Sequence, residues 1–448
     1  MKFLMVSEDG IGAHVLKIIE NEGNEVSLYI KRPDCRDMWS GLLPKAKKVA
    51  PTRDTVVIFD TSGFGKLADK LRKSGVPVVG GSAFADRLEE DRQFGLDLMV
   101  EAGIKVPFSK EFNKFDGIED FLGAHEGTRF VFKPSGKNLP SFLTYVSCDG
   151  EDLLEYVAYV EKNHGKDVES FVLQEFVEGV AVSTELWCDG ERFIRPAIHD
   201  LELKAFMDGC LGPATGCAGN LIWIEDGSCR ISSNGLAKVE SQVVDAGHVG
   251  PMDLNAIVND EGVWGLEWTP RFGYDSTPVQ MPMFNREIGQ FFSDIARGQL
   301  DYDMPLKDEF GAGVRFSIPP YPLEPHAVGD AQKVRPNGGI PIRGLTEKNA
   351  GSFFFYEVME EDGKLVHCPG TGILGVAMGV SRRPCEAWDL AYDALSSLKV
   401  PELQYRLDLS DKICGMYRQV EAQDGVSVGA IPEIELEEAK VEEDEHGQ

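Results

Sequence analysis

The stretch KFLMVSEDGIGAHVLKIIENEGNEVSLYIK, Lys2 to Lys31, decides the fold. Lys2 to Ser7 alternates apolar and polar residues and reads as a core strand. Ala13 to Glu20 carries the 3.6-residue period of an amphipathic helix. The turn in NEGNE then leads to a second strand. Val56 to Asp60 (VVIFD) is a third, followed by the loop TSGFG and a helix to Ser74, and Val76 to Gly80 (VPVVG) is a fourth. Strands that alternate with helices at this spacing predict a doubly wound parallel sheet. Ligands in such sheets lie beyond the carboxyl ends of the strands, which selects the loops Ser7 to Gly12 and Asp60 to Gly65. Gly10 and Gly12 precede a helix whose N-terminus suits a phosphate. Val15 stands where a third glycine would complete a dinucleotide fingerprint, so a tight turn without a ligand fits equally well. Asp60 at a strand end suits a ribose hydroxyl or a cap on the following turn.

With 448 residues, the chain has room for two to four domains. Hydrophobic content of 42% and charged content of 27% are those of a globular protein. No apolar run approaches the roughly 20 residues that span a bilayer. The start, MKFLMVSEDG, turns acidic too early for a secretory leader, so a cytoplasmic location is expected. Nine cysteines without a CxxC pair read as reduced thiols. A formal charge of −29 opposes nonspecific binding to nucleic acid or an anionic membrane.

Further along, Ser82 to Ala102 reads as one charged amphipathic helix. Arg129 to Pro134 (RFVFKP) is a strand that delivers Lys133 to the glycine-containing loop SGKNLPSF, as a phosphate clamp or as an ordinary surface lysine. Phe171 to Val177 is a strand, and Val182 to Ile194 is a hairpin around Asp189-Gly190. The segment Asp208 to Asn220 (DGCLGPATGCAGN) reads as a glycine-rich functional loop, approached by His199-Asp200 and Lys204. A helix over Asn234 to Ala246 precedes a strand, Val249 to Val258.

A turn then leads into VWGLEWTPRFG, Val263 to Gly273. Extended backbone sends Glu267, Thr269 and Arg271 to one face. A carboxylate, a hydroxyl and a guanidinium converging there suit a magnesium ion carrying a polyphosphate, although an edge strand with a solvated polar face has the same pattern. Asp253, on the antiparallel neighbour, offers a second metal carboxylate. From about Lys307 a further unit is expected, with strands at Gly313 to Ile318, Gly339 to Ile342, Ser352 to Glu360 and Leu365 to Ala377. A helix at Arg382 to Leu398 follows, with Pro384 in its first turn. The acidic end reads as a disordered tail.

The order of these features resembles the ATP-grasp ligases, most closely the glycinamide ribonucleotide synthetase (phosphoribosylamine–glycine ligase) family. The resemblance is carried by VPVVGGSAFADRLEEDRQFGLDLM, QEFVEG, LGPATGCAG, LEWTPRFG, IPIRGL and GILGVAMGVSRRPCEAWDLAYDAL. It implies an N-terminal Rossmann-like preATP-grasp domain over 1–106 and an ATP-grasp domain over 107–306 with a small flap subdomain at about 117–180. A small mixed α/β domain over 307–420 and the tail over 421–448 complete the chain, α/β and α+β in class.

The resemblance further implies ATP and Mg2+ (or Mn2+) as cofactors. It makes Arg92, Lys133, Ser135, Gly136, Lys137, Gln174, Glu175, Phe176, Val177 and Glu178 the ATP-binding set. Arg271 and Lys133 face the transferred phosphoryl group, and Glu267, Asp253 and Thr269 hold the metal. Gly10, Gly12, Asp60, Lys204, Gly212, Pro213, Thr215 and Gly216 meet the substrates. Against the family pattern, Arg92 replaces a lysine, Thr269 an asparagine, and Ala181 the ribose carboxylate, for which Glu178 and Glu185 are the nearest stand-ins. The implied reaction is amide formation through an acyl phosphate, as in purine biosynthesis, between small-molecule amine and carboxylate substrates, by a monomer or homodimer. A ligase using a different amine and a non-catalytic nucleotide-binding protein on the same fold remain the alternatives.

Overall fold

The computed structural model describes residues 1–135, 143–148, 151–225, 229–323 and 338–424. β1 (Lys2–Ser7), β2 (Glu25–Ile30), β3 (Thr55–Phe59) and β4 (Val78–Val79) form a four-stranded parallel sheet in the order β2-β1-β3-β4. Helices Ala13–Asn21 and Gly65–Lys73 make the crossovers. Both faces of β1 and β3 are buried, so these strands are almost continuously apolar, as a covered parallel sheet requires.

A second sheet, entirely antiparallel, runs β5-β8-β6-β7. It is built from β5 (Ser109–Phe112), β6 (Phe130–Ser135), β7 (Tyr145–Val146) and β8 (Ser170–Glu175). Phe130, Phe132, Phe171 and Leu173 pack against Leu153, Val157 and Val160 of helix Asp152–His164. Each such ring contributes about 1.5–3 kcal/mol on burial, enough for this small layer to keep its own core.

The largest sheet has eight strands. β9 (Val180–Cys188), β10 (Phe193–Met207), β11 (Leu211–Ile224), β12 (Gly250–Asn259), β13 (Gly262–Trp268), β14 (Phe310–Ser317), β15 (Phe353–Phe355) and β18 (Ile373–Ser381) run β13-β12-β9-β10-β11-β14-β18-β15, all antiparallel. β16 (Val358–Glu361) and β17 (Lys364–His367) form a separate hairpin. The strands after residue 307 therefore share a hydrogen-bonded ladder with those before it, through β11 and β14.

Several elements differ from expectation. Ser82 to Ala102 is two helices, Ala83–Glu90 and Arg92–Glu101, because Asp91 leaves the helical region and caps the second with its own carboxylate (Phe94 N to Asp91 Oδ1, 3.1 Å). The glycine-rich segment is mostly strand: only Asp208–Cys210 turns, and Leu211–Ile224 pairs with β10 across two register shifts. The helix expected at Asn234 to Ala246 is broken at Gly235 and resumes as Leu236–Val239 and Glu240–Asp245. Gly339 to Ile342 makes only an isolated bridge, Pro341 to Val366. Turns also split Ser352 to Glu360 and Leu365 to Ala377. A final helix, Leu409–Asp424, runs past residue 420 into the segment read as tail, and the remainder of that tail lies outside the described residues.

Polar contacts lock the parallel sheet to the rest. The Glu22 carboxylate accepts from Ile288 N and Gly289 N at 2.7 and 2.8 Å, capping helix Ile288–Ala296. Gly80 N donates to Val249 O at 2.7 Å. Trp39 Nε1 donates to Tyr356 O at 2.9 Å. Among the described residues no helix is long and apolar enough to cross a membrane.

Candidate active site

The polar face of the large sheet meets the small antiparallel sheet across a cleft. Asp200, Glu202 and Lys204 alternate along β10, so they share one face. Ser183 and Glu185 on β9 lie beside them, and Glu185 stands directly across from Asp253 on β12. From β6 of the other sheet, Lys133 donates to Gln174 Oε1 at 2.6 Å. It also feels the charges of Glu267, Arg92 and Lys204. Lys204 in turn feels Glu202, Glu267 and Asp253, and its Nζ is 3.8 Å from Glu202 Oε2. Residues from seven separate stretches of chain thus lie within contact or electrostatic reach of one another.

The electrostatics follow from burial. Desolvation pushes Lys133 down to about 8, with Arg92 and Lys204 acting in the same sense and Glu267 against it. Burial likewise raises Asp253, Asp200 and Glu202, and their carboxylates reinforce one another. For Lys204, burial opposes the charge, but Glu202 and Glu267 outweigh it and the pKa rises. Burial also works against Arg271, where Tyr274, Glu89 and Asp253 prevail and hold it above the ordinary value.

The metal-binding candidates sit at the end of the β12–β13 ladder. Glu267 is exposed at the cleft and pairs across the ladder with Asn255. Thr269 lies beyond the strand, where its hydroxyl accepts from Asn255 Nδ2 at 2.9 Å and its N–H donates to Asp253 O at 2.8 Å. The Ser183 hydroxyl donates to Asp253 Oδ2. Asp253 Oδ1 is buried without a hydrogen-bond partner among the described residues, a costly state that a cation relieves. An all-oxygen donor set fits a hard divalent ion such as Mg2+ or Mn2+. Asn255 lies beside that set, paired with Glu267 and bonded to Thr269, and was not anticipated from sequence.

The alternation expected to run through Arg271 stops at Thr269, because Arg271 N turns back to Thr269 O at 3.0 Å. The Arg271 guanidinium is instead held by Glu89 Oε1 at 3.1 Å and Phe272 O at 3.0 Å, over the Tyr274 ring at 4.2 Å. It remains within reach of the charges of Asp253 and Glu202.

Gln174 and Glu175 end β8, and Phe176, Val177 and Glu178 lead to β9, so this stretch bridges the two sheets. The Arg129 guanidinium covers the Phe176 ring at 3.9 Å and lies 3.9 Å from Glu178. Of the two stand-ins for a ribose carboxylate, Glu178 is exposed. Glu185 is 2% exposed and bonded by Trp187 Nε1 and Gln280 Nε2 at 2.7 and 3.0 Å. Its burial pushes the pKa up to about 7, and its Oε2 has no hydrogen-bond partner among the described residues. Arg92 is exposed at the start of its helix, and Ser135 is exposed at the end of β6. Gly136 and Lys137 lie outside the described residues.

The Gly212 and Pro213 region forms the exposed tip of the β10–β11 hairpin. Thr215 Oγ1 donates to Lys204 O at 2.8 Å, which ties the hairpin to the cleft lysine. A side chain on Gly216 would meet the Arg315 guanidinium at 3.7 Å. Arg315 is itself held by Asp275, with Nη2 to Oδ1 at 2.6 Å and Nε to Oδ2 at 3.0 Å, in a fully buried pair. Tyr356 OH adds a contact to Asp275 at 3.2 Å.

At the carboxyl end of the parallel sheet, Asp60 accepts from Ser7 Oγ at 2.7 Å and Gly12 N at 2.9 Å, and Gly10 N donates to Ser7 Oγ at 2.7 Å. A Cβ at Gly12 would lie 2.6 Å from that of Asp60, so glycine is required for this approach. Burial raises Asp60 to about 7, against the Ser7 and Gly12 hydrogen bonds. Beside this loop a cavity of about 120 Å3 is lined by Asp9, Arg32, Tyr356, Glu357 and Thr371. His14 is absent from it: its Nδ1 accepts from Phe355 N at 2.6 Å and its ring stacks on Phe354, so it serves packing. His199 is likewise buried beneath the sheet, on the face opposite Asp200.

A parallel-sheet domain beside two antiparallel sheets is an arrangement similar to that of the ATP-grasp class. Residues 90–247 match the family described as the ATP-grasp (A) domain of phosphoribosylglycinamide synthetase. Within that class the chain is similar to phosphoribosylamine–glycine ligases. The one from Streptomyces coelicolor is 26% identical over 362 residues, covering 78% of this chain and 81% of the relative, and that from Leifsonia xyli subsp. xyli is 27% identical over 358 residues, covering 77% and 81%. The solved phosphoribosylamine–glycine ligase from Thermotoga maritima superposes with a TM-score of 0.66 at 21% identity, covering 90% of this chain and 99% of that one. The biotin carboxylase subunit of pyruvate carboxylase gives 0.52 at 13% identity, covering 94% and 96%.

Proposed function

We propose that the protein is an ATP-dependent carboxylate–amine ligase of the phosphoribosylamine–glycine ligase type, acting in purine biosynthesis in the cytoplasm. The observation that carries this is that Lys133 on β6 and Glu267 on β13, from two different sheets, lie close enough for their charges to interact. The substrate carboxylate attacks the γ-phosphorus of ATP and ADP leaves. The amine then attacks the acyl carbon of the acyl phosphate and inorganic phosphate leaves. No side-chain nucleophile is needed, so the protein's task is positioning and charge stabilisation.

In this reading Lys133 and Arg271 neutralise phosphoryl oxygens, and Gln174 to Glu178 line the nucleotide base and ribose. Glu267, Asn255 and Asp253 hold the divalent ion, which offsets phosphate charge when bound. Lys204, fixed through Thr215 to the Gly212 to Gly216 hairpin, orients the carboxylate substrate, and Gly10, Gly12 and Asp60 border the amine site. The test is ADP release from ATP, Mg2+ and glycine with phosphoribosylamine. Activity abolished in Glu267→Gln and Lys133→Ala supports the reading, and unchanged activity in both removes it.

One observation favours a second reading, a ligase for a different amine. The cavity beside the Asp60 loop presents Asp9 and Glu357, and its one cation among the described residues, Arg32, is bonded to Asp34 at 2.5 and 3.2 Å. Such a lining suits a cationic amine better than a phosphorylated one. ADP release with glycine and a panel of amines, in the absence of phosphoribosylamine, supports that reading, and a strict requirement for phosphoribosylamine excludes it.

A further inference from the structure

On the face of the large sheet away from the ATP cleft, three donor groups meet. His199 comes from β10, Glu225 follows the last residue of β11, and Cys229 precedes the short helix Arg230–Asn234. His199 Nε2 lies 3.2 Å from Cys229 Sγ and 3.8 Å from Glu225 Oε2, and the three ligand atoms fall within 4.8 Å of one another. We propose that His199, Glu225 and Cys229 form a transition-metal site, best suited to zinc, that is separate from the magnesium-nucleotide site.

The distances argue for a metal. Zinc–nitrogen, zinc–oxygen and zinc–sulfur bonds of about 2.0–2.3 Å in a tetrahedron place neighbouring ligand atoms roughly 3.3–3.6 Å apart. The two measured separations bracket that range, so an ion enters with shifts of a few tenths of an ångström. The donor set is one imidazole, one thiolate and one carboxylate, a mixture that selects a borderline ion over a hard one. The supporting contacts are those a ligating histidine needs. Its other ring nitrogen, Nδ1, is 3.0 Å from Thr184 Oγ1, which leaves Nε2 for the metal. The Trp223 ring packs at 5.2 Å and fixes the imidazole plane. Glu225 is held in turn by the Ser232 hydroxyl and by its own N–H to Ala197 O at 3.0 Å.

All three donors are buried, yet Glu225 and Cys229 also line an open cavity of about 650 Å3. That cavity is the entry path, and it leaves the fourth coordination position to water or a small ligand, as in three-residue zinc sites. Binding releases the Cys229 thiol proton to solvent, without any redox step.

The full-length chain, stripped with chelator and titrated with Co2+ and Zn2+, tests the proposal. The expected result is one equivalent of Co2+ with a thiolate-to-cobalt charge-transfer band, displaced by Zn2+. Cys229→Ser and His199→Ala lose the band and that equivalent, while Glu267→Gln keeps both. Glu225→Gln retains the thiol and the fold-neutral shape and weakens Co2+ binding at least tenfold; it serves as the variant should the other two fail to fold. A wild-type chain without the band, a band that survives in Cys229→Ser, or unchanged affinity in Glu225→Gln overturns the assignment.

Discussion

Lys133 offers the sharpest test, because the proposed function gives its charge the task of holding phosphate and burial holds its pKa at about 8 in the free protein. Bound triphosphate favours the charged form and returns the group toward the ordinary lysine value of about 10.4. The sign follows: the protonated lysine binds ATP, it prevails below about 8, and affinity is lost as pH rises through that value. The charged fraction of the free lysine falls from roughly nine-tenths at pH 7 to roughly one-tenth at pH 9, so ATP affinity weakens about tenfold over that span. In Lys133→Arg the charge persists throughout, and this tenfold decline disappears. The assay is the ATP dissociation constant by calorimetry at fixed ionic strength and saturating Mg2+, wild type against variant. Equal pH slopes in the two proteins refute the account of Lys133.

Three further outcomes are expected. Glu267→Gln and Asn255→Ala each reduce the ratio of ATP affinities with and without Mg2+ toward one; a ratio as large as wild type in both removes the metal assignment. Asp275→Asn leaves the Arg315 charge buried without its partner and costs about 3–5 kcal/mol in denaturant unfolding, whereas Asp275→Asn combined with Arg315→Met costs less. For Asp60 the folded pKa is raised to about 7, above the unfolded value of roughly 3.9. Its contribution to stability is therefore complete below the unfolded value and is lost as pH rises through about 7. The stability difference between wild type and Asp60→Asn should shrink from pH 5 to pH 8, and a constant difference contradicts the assigned shift.

The parallel sheet was legible because hydrophobic period alone specifies it: β1 and β3 are buried on both faces, and the helices between them are amphipathic. The Gly212 segment was misread for a physical reason. Glycine and proline usually interrupt strands, but here β10 is long enough to accept a partner with two register shifts, and Gly219 is required by the close backbone of Gly313, 2.9 Å from where a Cβ would sit. Asp91 was passed over as a surface charge in a helix, although aspartate is also a strong cap. Lys133 and Glu267 stood out as charges at strand ends, and Asp253 as a carboxylate on the strand beside Glu267. Asn255, Glu89 and Asp275 did not, because their roles come from partners 14, 182 and 40 residues away. Arg315 had left a signal: a lone guanidinium inside the apolar strand FGAGVRFS needs a buried acid.

The cleft sets two opposing demands on protons, and together they fix the shape of the pH–rate profile. Burial and mutual repulsion raise Asp200, Glu202 and Asp253, so these carboxylates hold protons to higher pH than isolated ones. A metal ligand among them must lose its proton before Mg2+ binds, which makes metal affinity rise with pH. Lys133 acts in reverse, losing its grip on phosphate above about 8. The product of the two is a bell, whose acid limb belongs to the carboxylate group as a whole and whose basic limb belongs to Lys133. Raising Mg2+ at low pH competes with the carboxylate protons and moves the acid limb downward, while the basic limb stays in place. In Lys133→Arg the basic limb moves up or disappears and the acid limb is unchanged. A profile of kcat/KM whose two limbs shift together under either treatment would mean that one group, rather than two opposed sets, governs the cleft.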